Sequence, residues 1–355
     1  WNPAEIIGIR PKPLSLSLYR ELITDSIWAY QRHNYGYRNL RSFPLITHFF
    51  GLPYIDLRLS LNSFVPNDLE DGLADRLVDY YIDRLLEEPT LHDKIEFEVV
   101  FSCYTLDLPE KLDRLRPLGF SKNDCDALLS SLRNLTNRIL HTTDGLWQRD
   151  AAKLEILKSR RETLLNSNLD PLARIYWLLE DAKRYGTLPF AGLARAGFIA
   201  VQLLKSLVAI GIFSTTDYEA FLASVSSITG ELTRDRSVLD KPSFLAKYGH
   251  LRPGTYNIES PRYDESPEEY FDWKSQPSTP GSETPFSATS AQLREISRLL
   301  IAHDIKSEAL ELLDFMKEAI ELREMAKFHF TRNLSDALSL IAKVGAQYNI
   351  NREDL

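Results

Sequence analysis

The stretch that decides the fold class is ARAGFIAVQLLKSLVAIGIF (residues 194–213), the most apolar part of the chain. It is long enough to cross a bilayer. However, Gln202 and Lys205 lie near its centre, three residues apart and therefore on one face of a helix. A lysine at bilayer depth costs about 2.5–3.5 kcal/mol on insertion scales. The stretch therefore predicts a buried helix with one polar edge, and no membrane partner.

The residues on both sides of this stretch also follow the helical period. From residue 121 onward, apolar residues recur at helical spacing over 121–141, 151–165, 171–185, 216–229, 292–303 and 305–328. Asp170 before Pro171 is a typical helix start, and Asn333 with Asp336 resembles a capping box that opens the last helix. Residues 119–355 are therefore predicted to form a helical subdomain, interrupted by a Pro/Ser-rich loop at 273–290.

The N-terminal third has a different pattern. In YIDLRLSLNSF (54–64) apolar and polar residues alternate, and KIEFEVVFSCYTLD (94–107) is rich in β-branched and aromatic residues. Between them, residues 69–88 show helical spacing. We predict an α+β subdomain over 1–118 and, for the whole chain, a mainly α fold with a small antiparallel sheet.

Composition and missing motifs exclude several functions. The 355 residues carry 42 Lys+Arg against 50 Asp+Glu, a net charge of −8, which disfavours binding to nucleic acid or to an anionic membrane. Phosphate-binding glycine loops and a serine-hydrolase elbow are missing from the sequence, and the seven histidines follow no metal-site spacing. We expect no metal site. Two cysteines, Cys103 and Cys125, fit a reducing, cytoplasmic location.

The most unusual segment is KYGHLRPGTYNIESPRYDE (247–265). Ser243 is expected to cap a short helix that ends at a left-handed Gly249, and Pro253-Gly254 fits a type II turn. That turn is expected to hold its shape whatever residue precedes it. Two interpretations stand open. The loop either binds an anion, or forms a polar turn in which Arg252 and Arg262 pair with Asp264 and Glu265. The side chains that carry the first interpretation are His250, Arg252, Tyr256, Arg262 and Tyr263.

A second cluster lies in SLYRELITDSIWAYQRHNYGYRNLR (17–41). An apolar helical stripe leaves Arg20 and Asp25 on its flank. The sequence Tyr35-Gly36-Tyr37-Arg38 then interrupts the helix with aromatic and cationic groups, which is typical either of a small-ligand pocket or of an aromatic packing corner. On the second predicted strand, Glu96 and Glu98 share a face; they are candidates to contact an ammonium group or to be solvated carboxylates.

Three segments resemble one family. NPAEIIG and PKPLSLSLYR (2–20) look like the segment that follows the ATP-grasp domain in the phosphoenolpyruvate synthase and pyruvate phosphate dikinase superfamily. KYGHLRPGTYNIESPRYDE (247–265) resembles a loop of that superfamily's middle domain, and residues 323–355 are similar to the helical end of the same region. The similarity is greatest to the synthase-like kinases of surface-polysaccharide pathways, which include glutamine kinases.

The resemblance implies an acceptor-binding middle domain. In such enzymes an ATP-grasp domain phosphorylates a histidine on a mobile domain, which transfers phosphate to an acceptor while ATP becomes AMP and phosphate. The ATP-grasp and carrier-histidine motifs are absent from this sequence, which also begins without Met, so we expect a piece of a longer enzyme that is inactive alone. ATP and Mg would belong to the parent enzyme's other domains, the ATP-grasp and phosphohistidine domains, and no cofactor to this chain.

The resemblance and the residues together give expected roles. His250 is the candidate general base, and Arg252, with Arg38, the candidate for neutralising phosphoryl or acceptor charge. The acceptor would be a small molecule such as glutamine or pyruvate. The expected substrate-binding residues are Arg20, Asp25, Tyr35, Arg38, Tyr256 and Arg262. The alternative is a noncatalytic helical module that binds a partner protein.

Overall fold

The computed structural model describes residues 2–141, 145–273 and 286–355. It confirms a mainly α protein with a small antiparallel sheet in the N-terminal third. Most of the predicted loop at 273–290 lies outside the described residues. The N-terminal helices are α1 (Ala4–Ile7), α2 (Pro13–Tyr19), α3 (Ile27–Asn34), α4 (Leu57–Asn62), α5 (Asp71–Glu87) and α6 (Leu108–Leu112). Short π- or 3-10 turns cover Arg20–Thr24, Pro89–Asp93, Ile95–Val99 and Asp113–Leu118.

The sheet is a single hairpin. Strand β1 (Ile46–Phe49) pairs antiparallel with β2 (Leu52–Ile55), with Phe49 opposite Leu52. Phe50 and Gly51 connect them at φ values of 51° and 79°. Two consecutive positive φ angles are typical of the type I′ turn, whose twist matches that of the flanking strands.

The predicted strand at 54–64 is right only for its first two residues, and the predicted strand at 94–107 is wrong throughout. After Ile55, the side chain of Asp56 accepts a hydrogen bond from the Leu59 backbone N–H at 2.9 Å and starts α4, so capping overrides the alternating pattern. In 94–107, the backbone N–H groups of Phe101 and Tyr104 donate to the Tyr81 and Thr136 hydroxyls rather than to another strand. This segment is a π-turn followed by buried irregular chain.

The rest of the described chain is helical, as predicted. Asp170 caps the helix that begins at Pro171, but Asn333 and Asp336 lie inside the last long helix and open none. The predicted helix at 216–229 is two helices. The elements are α7 (Lys122–Leu140), α8 (Leu146–Leu165), α9 (Pro171–Asp181), a π-turn (Ala182–Thr187), α10 (Leu188–Ala209), α11 (Thr215–Ala223), α12 (Ile228–Val238), α13 (Lys241–Tyr248), α14 (Pro267–Tyr270), α15 (Ser290–Ala302), α16 (Ala309–Gln347) and a 3-10 turn (Arg352–Asp354).

Helix α10 lies at the centre of the fold and packs on α16, α8 and α3. The continuous helical segment Pro171–Ala209 has the length and hydropathy of a membrane span, but 61% of its apolar window is buried inside the protein. Lys205 is exposed on its polar edge while Leu203 and Leu204 are buried. The main hydrophobic cluster runs from Tyr35 to Ala326, so it includes residues on both sides of the predicted boundary at 118.

Candidate functional site

A cleft of about 520 Å³ opens between α10, the start of α12, the loop after α13 and α16. It is the place where the predicted loop meets the helical core. Its walls combine rings, hydroxyls and charged groups, and they include Phe190, Ala194, Phe198, Thr229, His250, Arg252, Tyr263, Arg323, Glu324, Lys327, Phe328, Thr331 and Ser335.

The backbone of the loop differs from the prediction at three positions. Asp240, rather than Ser243, caps α13, because its carboxylate accepts the Ser243 N–H at 2.9 Å. Gly249 is right-handed, with φ −58°. Gly254 is also outside the positive-φ region, so Pro253-Gly254 forms no type II turn. A Cβ on Gly254 would lie 2.9 Å from the Asn257 Cβ, and close chain approach is therefore what requires glycine there.

His250 is buried, and both of its ring nitrogens have protein partners. Arg332 Nε donates to His250 Nδ1 at 3.2 Å, so the ring proton is on Nε2, which lies 3.3 Å from the Phe328 carbonyl oxygen. Burial and the neighbouring Arg332 charge lower the pKa of His250 to about 2. The imidazole is thus neutral and its only lone pair is occupied. This geometry does not provide the general base that the sequence predicts.

Arg252 is buried as well, with 8% of the residue exposed. Its guanidinium donates to the Ser335 hydroxyl at 3.2 Å and to the Asn257 and Ser260 carbonyl oxygens at 3.3 and 3.1 Å. Two longer contacts reach the Ser335 carbonyl and the Ser339 hydroxyl. Burial lowers its pKa to about 10. Arg252 ties the loop to α16 through neutral oxygens, and it does not pair with Asp264 or Glu265 in the way the polar-turn interpretation expects.

The other three loop residues are also engaged, Tyr263 in the cleft wall by ring contacts with Tyr270 and Phe271. Arg262 donates to both carboxylate oxygens of Asp264, at 2.9 and 2.7 Å, and to Asp336 at 2.9 Å. The predicted pairing of Arg262 with Asp264 is therefore confirmed. Tyr256 is buried away from the cleft lining and packs edge-to-face on Tyr19, with ring centroids 5.3 Å apart.

The second predicted cluster does not join the cleft. Arg20 and Asp25 pair with each other at 3.1 Å and are partly exposed. Tyr35 is buried in the core and donates to Asp150 Oδ2 at 3.0 Å. Arg38 binds Asn62 at 2.8 Å and the carboxylates of Asp71 and Asp75. Helix α3 does end before Gly36, at φ +103°, as predicted, but the corner serves packing.

The structure adds two cationic residues that sequence reasoning missed, Arg323 and Lys327. They are one helical turn apart on α16, and neither has an ion-pair partner among the described residues. The Arg323 guanidinium lies over the Phe198 ring, 4.9 Å from its centroid. Glu324, between them in sequence, already accepts the Ile228 N–H at 3.0 Å. The sequence shows the i, i+4 spacing of Arg323 and Lys327. It does not show which face of the helix meets the loop.

The chemistry of the cleft follows from these partners. The interactions of His250, Arg252 and Glu324 are internal, whereas Arg323 and Lys327 are free to bind a ligand. Two cations beside aromatic rings suit a small molecule that carries an anionic group and an apolar or planar part. Comparison of the chain with protein-family models, with curated proteins and with solved structures found no match.

Proposed function

We propose that this chain is the acceptor-binding domain of a cytoplasmic, multidomain ATP-dependent phosphotransferase, and that the cleft receives a small anionic acceptor. The ATP-grasp domain, the phosphohistidine domain, ATP and Mg would be supplied by the rest of the parent enzyme. Support comes from the resemblance of residues 2–20, 247–265 and 323–355 and from the free cations of the cleft.

The observation that carries the proposal is the pair Arg323 and Lys327. Both line the cleft without an ion-pair partner among the described residues, beside the loop that the resemblance identifies. Phosphoryl transfer depends mainly on positioning and on charge stabilisation. Cations held on a rigid helix, with one ring packed beneath Arg323, are suited to both tasks.

This proposal changes the roles expected for the loop. His250 is neutral and occupied, and Arg252 is saturated by protein oxygens. We therefore assign both residues to positioning the cleft wall, and charge neutralisation to Arg323 and Lys327.

The test is acceptor-dependent AMP formation by the complete parent enzyme, with glutamine and pyruvate as acceptors. R323Q and K327Q should each lower kcat/KM by about tenfold or more, as expected for the loss of a charge-assisted contact. The matched control is K343Q, since Lys343 is exposed on the same helix but outside the cleft. Rates within twofold of wild type for both cleft variants would contradict the proposal.

A noncatalytic interaction module is the second candidate, and one observation favours it. Leu172 and Tyr176 in α9 are 65% and 56% exposed, and Leu169, just before the helix, is 38% exposed. Exposed apolar side chains one helical turn apart are typical of a protein-binding surface. Calorimetry with glutamine, other amino acids, pyruvate and sugars on wild type, R323Q and K327Q separates the two candidates, because a pure interaction module should release no heat that depends on the cleft cations.

A further inference from the structure

A second group of charged residues meets inside the protein, outside the cleft lining. Arg32 comes from α3, Glu96 from the Ile95–Val99 turn and Arg195 from α10. Arg32 Nη2 donates to Glu96 Oε1 at 3.1 Å, and Arg195 Nη2 donates to Glu96 Oε2 at 3.4 Å. Arg195 Nη1 lies 3.3 Å from Glu96 Oε1 without hydrogen-bond geometry. One carboxylate thus serves two guanidinium groups, and this cluster carries one net positive charge.

Several donors of the two arginines are unsatisfied. Among the residues that the structure describes, Arg32 Nη1 and Arg195 Nε and Nη1 are buried without a hydrogen-bond partner. The Arg195 side chain is only 1% exposed. Buried polar atoms in native proteins nearly always have partners, and an unpaired buried charge is strongly destabilising. Arginine does not deprotonate to relieve this cost. An acceptor with negative charge would satisfy these N–H groups and would also balance the excess positive charge of the cluster.

The surroundings of the cluster favour a planar anionic group. The Phe64 ring lies against both guanidinium groups, at 4.2 Å from Arg32 and 5.4 Å from Arg195. Arginines stacked on rings keep their N–H edges in plane and available for bidentate contacts. The side chains of Arg32 and Glu96 are 21% and 16% exposed, so the cluster lies next to the surface, although its unsatisfied N–H groups are themselves enclosed.

We propose that Arg32 and Arg195 form a binding site for the carboxylate of a small molecule. One carboxylate cancels the single net charge of the cluster, and its two oxygens can accept the unsatisfied N–H groups. The site is separate from the free cations of the cleft, although Phe198 contacts both Arg195 and Arg323, at 5.6 and 4.9 Å. The proposal does not depend on phosphotransferase activity.

The test is calorimetric titration of the complete protein with acetate, pyruvate and L-glutamine, with acetamide and L-glutaminamide as the matched ligands that lack a carboxylate. We expect at least one carboxylate to bind and its amide counterpart not to bind. R195K and R32Q should weaken that binding by about ten- to a hundredfold, the range for a lost charge-assisted contact. R298Q, at an exposed arginine of α15, is the control and should bind like wild type.

Other results would overturn the assignment. One is that no carboxylate releases heat at 10-fold the protein concentration and above. Another is that R195K, R32Q and wild type bind the carboxylate with equal affinity. A third is that only inorganic phosphate binds. If circular dichroism shows that R195K does not fold, the affinity of R32Q still tests the proposal. Arg32 lies at the partly exposed rim of the cluster, so its replacement should disturb the fold less. R323Q and K327Q should retain the carboxylate affinity. Loss in those variants with retention in R32Q would assign the binding to the cleft and refute this site.

Discussion

Arg332 Nε donates a hydrogen bond to His250 Nδ1 at 3.2 Å, which joins α16 to the loop through the one ring nitrogen that could have taken up a proton. The histidine that the sequence marks as a base is thereby an acceptor from a permanent cation. Its function in the fold is to set the position of the cleft wall, and this has measurable consequences for stability.

The first consequence is a pH dependence of folding. The pKa of His250 is about 2 in the folded protein, against a reference value of about 6.5 when unfolded. Below pH 6.5 only the unfolded chain takes up this proton, so stability falls as the pH falls, by about 1.4 kcal/mol per unit. H250Q lacks this titration. Between pH 7.5 and 5.5, its urea unfolding free energy should therefore drop by about 1.4 kcal/mol less than that of wild type.

The comparison contains its own control. His329, whose pKa burial also lowers, titrates in both proteins and cancels from the difference. Identical pH dependence in wild type and H250Q would show that folding does not lower the pKa of His250, and would contradict its assignment as a buried, neutral imidazole.

Arg252 should be a stability residue. R252A removes donors to the Ser335 hydroxyl and to the Asn257 and Ser260 carbonyls, all in a buried setting. We expect a loss of at least about 2 kcal/mol in unfolding free energy, because buried acceptors left unpaired cost about 1–3 kcal/mol. R20A, which breaks a partly exposed pair, should cost about 1 kcal/mol or less. Equal unfolding midpoints for R252A and wild type would mean that the loop keeps its shape without the Arg252 hydrogen bonds.

Gly254 tests the same loop through packing. G254A places a Cβ 2.9 Å from the Asn257 Cβ, and neither carbon is the end of a flexible chain. We expect a destabilisation of about 1–3 kcal/mol, the usual range for overpacking. Differential scanning calorimetry measures it. A stabilised G254A, as for a glycine with free space around it, would contradict the close approach of residues 254 and 257.

The hairpin turn offers a stabilising change. Phe50 has φ 51°, which is unfavourable for a bulky residue, and its side chain is fully exposed. F50N creates the Asn-Gly pair that type I′ turns prefer. We expect a gain of about 0.5–1 kcal/mol in thermal or chemical unfolding, in the range of other compatible turn substitutions. F49N is the control, because Phe49 packs on Tyr54 at 5.8 Å and its replacement should destabilise.

Local patterns predicted the helices well, since apolar period and capping residues such as Asp170 act over a few positions. They failed at 54–64 because a single cap, Asp56, favours a helix over the alternating pattern. They failed at 94–107 because the partners of that backbone are side chains from α5 and α7.

Local sequence patterns were also insufficient to predict the whole candidate site. The loop 247–265 was found because its residue types are unusual, and it does line the cleft. The free cations Arg323 and Lys327 looked like ordinary helix residues. The unsatisfied Arg195 was not predictable, because its carboxylate partner is 99 residues away in sequence.

Helix α16 spans 39 residues, about 58 Å at 1.5 Å per residue. It carries the free cations at 323 and 327, the Phe328 carbonyl that His250 contacts, and the Ser335 hydroxyl to which Arg252 donates a hydrogen bond. These groups point in fixed directions around the helix axis, relative to one another, only while the number of residues between them stays the same. Inserting one residue between Lys327 and Ser335 would rotate the two halves by about 100° and turn the cations away from the loop. The cleft is therefore sensitive to a change of helical phase, even one that leaves its residues unaltered.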